Sequence, residues 1–263
     1  AIERLELRGD GPMFLLRDLP ELGEGRPPES LRLAVTGLRL PLDGQYAAQY
    51  SGLLHGMGRG EAREAGPCSL GGWLSVAALR QAGLEELVAD MTLSYQRRDG
   101  DSVQALASFR VRGIESLSLR VVLSSVPRPE AMRAGVLPRL DELAVRYELD
   151  PGLARGRLTR CAERQGRTLA EHVDALVEVS DEELAASLGM VPGPVLEAAL
   201  KRFLKDPQEI DIRIRPPAGM DFASLVFYQP QDALALLSPR VVVNGEPVRD
   251  LSFRAGPPSA REG

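Results

Sequence analysis

Two histidines, two cysteines and a few adjacent acids are the side chains from which chemistry could be assembled in this chain. His55 lies in a glycine-rich stretch upstream of Cys68, and an imidazole beside a thiol can activate it as a nucleophile. That pair is the arrangement that would make the protein an enzyme. His172 sits on a helical pattern, with Glu171 at i−1 and Asp174 at i+2, positions that point to other faces of a helix. It reads as a half-buried or surface helix histidine. Neither cysteine belongs to a CxxC pair, which removes the usual zinc arrangement, and no GxSxG elbow occurs. Gly56-Met57-Gly58-Arg59-Gly60 lacks both GxGxxG and GxxxxGK[ST] spacing, so Gly52 to Gly60 reads as a bend, not a phosphate cradle. Asp181-Glu182-Glu183 suits a helix N-terminus, and Asp141-Glu142 is an acid pair without the setting of a hydrolase dyad. No catalytic residue, cofactor or metal is expected.

Two candidate sites remain. Phe222, Phe227 and Tyr228 form the densest aromatic group and can line an apolar ligand pocket, core packing being the other reading. Cys68 and Cys161 can form a disulfide closing a loop of about 94 residues. Two separate buried thiols are the alternative, because spacing alone does not place two Cα atoms within bonding reach.

The elements that must position these residues follow from composition and periodicity. The 263 residues are 44% hydrophobic and 26% charged, enough to bury a core without a metal or disulfide staple. Gly and Pro total 26 + 20 = 46, which predicts many turns and short elements. The net charge is −5, and the basic residues are scattered arginines apart from Lys201 and Lys205, so no patch tracks a nucleic acid backbone. No run approaches the roughly 18 apolar residues of a membrane span. The chain begins at Ala1, read either as a product of signal-peptide cleavage or as a trimmed expression product; export, to a periplasmic or secreted location, is the expectation.

Alternation with period two predicts strands over Leu31–Val35 and Leu38–Leu42, then a meander of Leu84–Tyr95, Val103–Val111 and Leu117–Ser125, followed by Leu140–Leu149. Asp150-Pro151-Gly152 switches the period to helical. Thr168-Leu169-Ala170-Glu171 and Ser180-Asp181-Glu182-Glu183 have capping-box spacing, and a fourth helix follows Pro192 or Pro194. Ile210, Ile212 and Ile214 return to strand, and Asn244-Gly245 turns a C-terminal hairpin in which Pro247 keeps the second strand, Val248–Phe253, near an edge. The expected fold class is α+β: an antiparallel β-meander sheet, a cluster of short helices packed on it, and a C-terminal hairpin. The expected regions are β-rich 1–149, helical 150–205, return strands 206–255 and a disordered tail 256–263.

The Leu-x-Leu strands of Leu84 to Leu123 with the Asp99-Gly100 turn resemble the lipid-handling envelope proteins of the AsmA type. The run Leu149-Asp150-Pro151-Gly152-Leu153, with the later Phe203-Leu204-Lys205-Asp206-Pro207 leading into a strand, resembles uncharacterised exported proteobacterial proteins. The resemblance implies an envelope location and transfers no site residue. Three functions follow as expectations: a non-catalytic envelope protein that binds an apolar, lipid-like ligand; a scaffold or assembly factor that binds an envelope protein; and an enzyme whose site is not recognisable.

Overall fold

The structure is a computed structural model that describes residues 1–9, 29–43, 68–69, 75–98, 101–127, 131, 134–188, 190–217 and 230–255. The elements are β1 (Arg4–Gly9), β2 (Ser30–Pro41), α1 (Val76–Gln81), β3 (Glu86–Arg97), β4 (Val103–Val111), β5 (Glu115–Ser124), β6 (Arg139–Leu149), α2 (Pro151–Arg164), α3 (Leu169–Val177), α4 (Asp181–Leu188), β7 (Met190–Pro192), α5 (Pro194–Lys205), β8 (Glu209–Ile214), α6 (Pro230–Leu237), β9 (Arg240–Val243), β10 (Glu246–Val248) and β11 (Phe253–Ala255). Among the described residues the fold is α+β, with nine strands in one antiparallel sheet of order β1-β2-β3-β4-β5-β6-β8-β9-β10 and six short helices. β7 and β11 pair separately, Phe253 opposite Pro192. No helix among the described residues is long and apolar enough to cross a membrane.

The sheet grows by neighbours in sequence. β3 and β4 pair from Ala89↔Val111 to Arg97↔Val103, and β4 and β5 from Val103↔Leu123 to Val111↔Glu115. Because β side chains alternate, this register puts Phe109, Leu117, Leu119 and Val121 on one face and Thr92, Ser108 and Ser118 on the other.

β2 is one strand where the sequence suggests two runs. Arg97 N–H donates to the Glu29 carbonyl and Leu42 N–H to the Glu85 carbonyl. Between those bonds β2 advances from 29 to 42, thirteen steps, while β3 advances from 85 to 97, twelve. The extra residue is a bulge, placed at Gly37, whose φ of 64° lies in the left-handed region that glycine alone enters without strain. The bulge shifts the alternation, so Leu31, Leu33 and Val35 before it and Leu38, Leu40 and Leu42 after it follow one apolar pattern of opposite parity. The freed Gly37 N–H donates to Asp90 Oδ1 at 2.8 Å. Arg112 grips the same carboxylate at 2.9 and 2.8 Å, and with Gly37 it holds Asp90 below its ordinary value.

The chain forms two compact units that interleave in sequence. The first comprises Ala1–Leu38, Ala89–Tyr147 and Ile210–Val241; the second comprises Arg39–Val88, Glu148–Glu209 and Val242–Gly263. The second unit holds α1 to α5 and most of the fully buried apolar residues, among them Leu79, Leu158, Val173, Val177 and Leu204. Its helices start where the capping signals lie. Asp150 caps α2 through Leu153 N–H at 2.9 Å, and Thr168 and Glu171 cap α3 reciprocally. Ser180 and Glu183 do the same for α4.

The C-terminal strands need one correction. Asn244-Gly245 does turn a hairpin, and β10, which carries Pro247, is the last strand of the sheet. The second arm is only Glu246–Val248, however, and does not run on to Phe253. Phe253–Ala255 leaves for β7, where Gly193 N–H bonds the Ser252 carbonyl at 2.8 Å.

Candidate functional site

The first unit carries an open groove of about 610 Å³ on the polar face of its sheet, crossed by β2, β3, β4, β5, β6 and β8. Its centre is hydroxyl. Thr92 lies opposite Ser108, and Ser108 opposite Ser118, so three short alcohols stand in a row across β3, β4 and β5. Neighbouring strands lie about 4.8 Å apart, which sets the spacing of the row. Ser94 stands in the adjacent row, opposite Leu106, which in turn faces Arg120 across β4 and β5. Leu106 is an exposed apolar side chain in a polar surround. The hydroxyls of Thr92, Ser94, Ser108 and Ser118 have no hydrogen-bond partner among the described residues.

Cations flank this centre: Arg32 from β2 on one side, and Arg120, Arg146, Arg213 and Arg215 from β5, β6 and the β8 region on the other. Two carboxylates orient several of them. Glu142 holds Arg215 at 3.1 Å and Arg120 at 3.9 Å, and Asp211 holds Arg213 at 3.0 Å. Among the described residues that line the groove, five are arginines and two are acids, on a chain whose net charge is −5. Guanidinium groups held this way present fixed forks of donors that fit carboxylate, sulfate or phosphate oxygens.

The residues singled out in the sequence lie elsewhere. Phe222, Phe227, Tyr228 and His55 fall outside the described residues. Cys68 and Cys161 are joined as a disulfide in the second unit, with their Cα atoms 5.5 Å apart. Asp181, Glu182 and Glu183 form the first turn of α4, where Asp181 also pairs with Arg254. Asp141 accepts from Ser124 at 2.8 Å, while its neighbour Glu142 belongs to the groove. Among the described residues no group of three or more His, Cys, Asp or Glu side chains could hold a metal ion. The groove itself escaped the sequence reading because alternating polar residues look like an ordinary solvated sheet face. The available signal was their type: short hydroxyls at the centre and arginines at the sides.

His172 is more buried than its helical position suggests, with 1% exposure on α3. Its Nδ1 lies 3.2 Å from Gln165 Oε1, and its Nε2 has no hydrogen-bond partner among the described residues. Burial first, and the charge of Arg167 second, push it below the ordinary 6.5. The neutral ring is therefore the form the fold accommodates, and the unfolded chain takes up the proton first as pH falls. The stability linked to His172 is present above about pH 6.5 and is lost as pH drops from there through the folded value. Urea unfolding of the native chain should show a lower midpoint at pH 5.5 than at pH 7.5, and His172→Leu should shrink that difference. An equal pH dependence in the two proteins would exclude His172 as its source.

Arg157, on the face of α2 that carries Cys161, is also buried. It donates to the Ala78 carbonyl of α1, and burial, with Arg160 and Arg164 adding, pushes its value down to about 10. It remains a cation at neutral pH and ties α1 to α2 rather than serving a reaction.

Comparison with known proteins adds a family and no activity. Residues 101–244, from the end of the β3–β4 turn through β9, match the model of a family described as "Uncharacterized protein". The chain belongs to that family. The matched segment contains β4, β5, β6 and β8, so it carries Ser108, Ser118 and four of the five groove arginines; Arg32, Thr92 and Ser94 lie outside it. No curated protein and no solved structure matches the chain.

Proposed function

We propose that this is a non-catalytic binding protein whose ligand is anionic and lies against the polar sheet face of the first unit. The observation that carries the reading is the groove: hydroxyls with no hydrogen-bond partner among the described residues, between arginines that outnumber the acids of its described lining, on an otherwise acidic chain. Opposite charge both steers such a ligand in and holds it. The groove's described lining holds no His or Cys, and its short alcohols have no hydrogen bond to a base among the described residues, so binding is the activity these side chains support. The disulfide supports an oxidising compartment, the periplasm or the exterior, as the place of work.

The test is calorimetric titration with two compact polyanions, citrate and inositol hexakisphosphate, against the native chain and Arg120→Ser/Arg213→Ser/Arg215→Ser. Saturable binding that weakens as salt is raised, and weakens at least about tenfold in the variant, is expected, since each lost ion contact removes a charge-assisted bond. Failure of every anion to bind, or equal binding by the variant, would remove the reading.

A second reading has its own observation. On the opposite face Met91 and Leu93 are exposed, and so is Leu5 of β1, an apolar surface of the kind that marks ligand or partner contacts. It supports an apolar, lipid-like ligand or an envelope protein partner. Organic extraction of protein purified from its own host tests the first of these: a stoichiometric lipid supports it, and an empty extract removes it.

A further inference from the structure

Resting on the anionic-ligand reading, we infer that the groove ligand is an extended acidic oligosaccharide lying across the strands, about one sugar to each strand crossed. Three features of the groove point to this class. First, Thr92, Ser108 and Ser118 repeat at the inter-strand distance of about 4.8 Å, close to the rise of one pyranose in an extended glycan. A compact phosphate needs converging donors; a row of separate alcohols suits a ligand that presents hydroxyls repeatedly. Second, Leu106 gives the row an apolar platform of the kind that a sugar's C–H face covers, while Glu142 and Asp211 add acceptors that a purely anionic ligand would avoid and sugar hydroxyls can use. Third, the cations are far apart. Arg32 on β2 and Arg146 on β6 are separated by four strand steps, about 19 Å. One ligand that meets both must be long and carry charge at intervals.

Other occupants fit less well. Single-stranded nucleic acid binds through bases stacked on aromatic rings, and no aromatic side chain is among the described residues that line this groove. An acyl chain needs a mainly apolar wall.

The experiment is a length series of galacturonate oligomers, from monomer to hexamer, titrated into the native full chain beside inositol hexakisphosphate and vesicles of anionic phospholipid. Affinity is expected to climb with each unit to about the tetramer and then level off, as the strand spacing requires. Ser108→Ala/Ser118→Ala should weaken the tetramer several-fold and leave inositol hexakisphosphate unaffected. If inositol hexakisphosphate binds as tightly as the tetramer, or the vesicles bind through the groove arginines while the oligomers do not, the glycan assignment falls and the anionic groove stands. If none of the probes binds, both fall. Circular dichroism of the serine variant separates a binding loss from misfolding, and a folded variant that binds the tetramer normally would also overturn the assignment.

Discussion

Cutting the Cys68–Cys161 link is expected to lower the unfolding free energy by about 4–5 kcal/mol, because it frees the unfolded chain from a very long loop. The two cysteines are 93 positions apart, and the segment between them includes β3, β4, β5 and β6. Closing so long a loop removes many conformations from the unfolded ensemble, and the cost of closure grows with the logarithm of its length. Cys161 is buried on α2 beside Leu158 and Ala162, so a variant must not leave a polar group there. Cys68→Ala/Cys161→Ala and the reduced native chain should therefore agree. Urea unfolding of oxidised, reduced and double-alanine protein measures the difference. A reduced chain, verified by thiol labelling, that keeps the oxidised midpoint would show that the link constrains little. The same experiment bears on location, since a link that supplies this much stability would leave the protein fragile in a reducing cytosol.

How much of this was readable in the sequence depends on the range of the interaction. β4 and its turn into β5 were legible, because alternation and the Gly113 break act over a few residues. The caps of α3 and α4 were legible for the same reason: Thr168 and Ser180 bond N–H groups three positions on, whereas Asp150, which caps α2, was read only as a change of period. The bulge at Gly37 was half legible. The change of parity is in the sequence, but only pairing with β3 shows that it lies inside one strand. The β7–β11 pair was not legible, since three residues carry little pattern and the partners are about sixty positions apart. The groove failed differently. Alternation predicts that these strands have one polar face, but the row Thr92, Ser108, Ser118 exists only once the register is known, and register depends on turn geometry that sequence alone specifies poorly. His172 was misjudged because the apolar side of α3 includes it next to Val173, and a histidine among polar neighbours reads as surface.

Leu204→Ala should lower the stability of the second unit by about 3 kcal/mol, within the usual range for a leucine removed from a closed core. Leu204 is 2% exposed and packs with Val173 and Val177, with Leu169, Leu176 and Leu200 around them. Those contacts join α3 to α5, and the same two helices are also linked by charge. Lys205 of α5 reaches Asp174 of α3 at 3.1 Å, and Lys201 reaches Glu178, just past α3, at 3.0 Å and Glu197 on its own helix at 3.1 Å. Magnitude decides which kind of contact holds the pair. Lys201 keeps 21% of its side chain exposed and Glu178 keeps 63%, so water screens their attraction, and Lys201→Ala is expected to lose at most about 1 kcal/mol. Removing the leucine both forfeits apolar burial and leaves a cavity, and no solvent enters to offset the loss. Chemical unfolding of the two variants beside the native chain measures the contrast. Equal losses would mean that α3 and α5 are held by their ion pairs. A loss confined to Leu204→Ala, unchanged in high salt, would place the strength of the helical unit in the apolar seam and leave the surface charges free to change without loss of the fold.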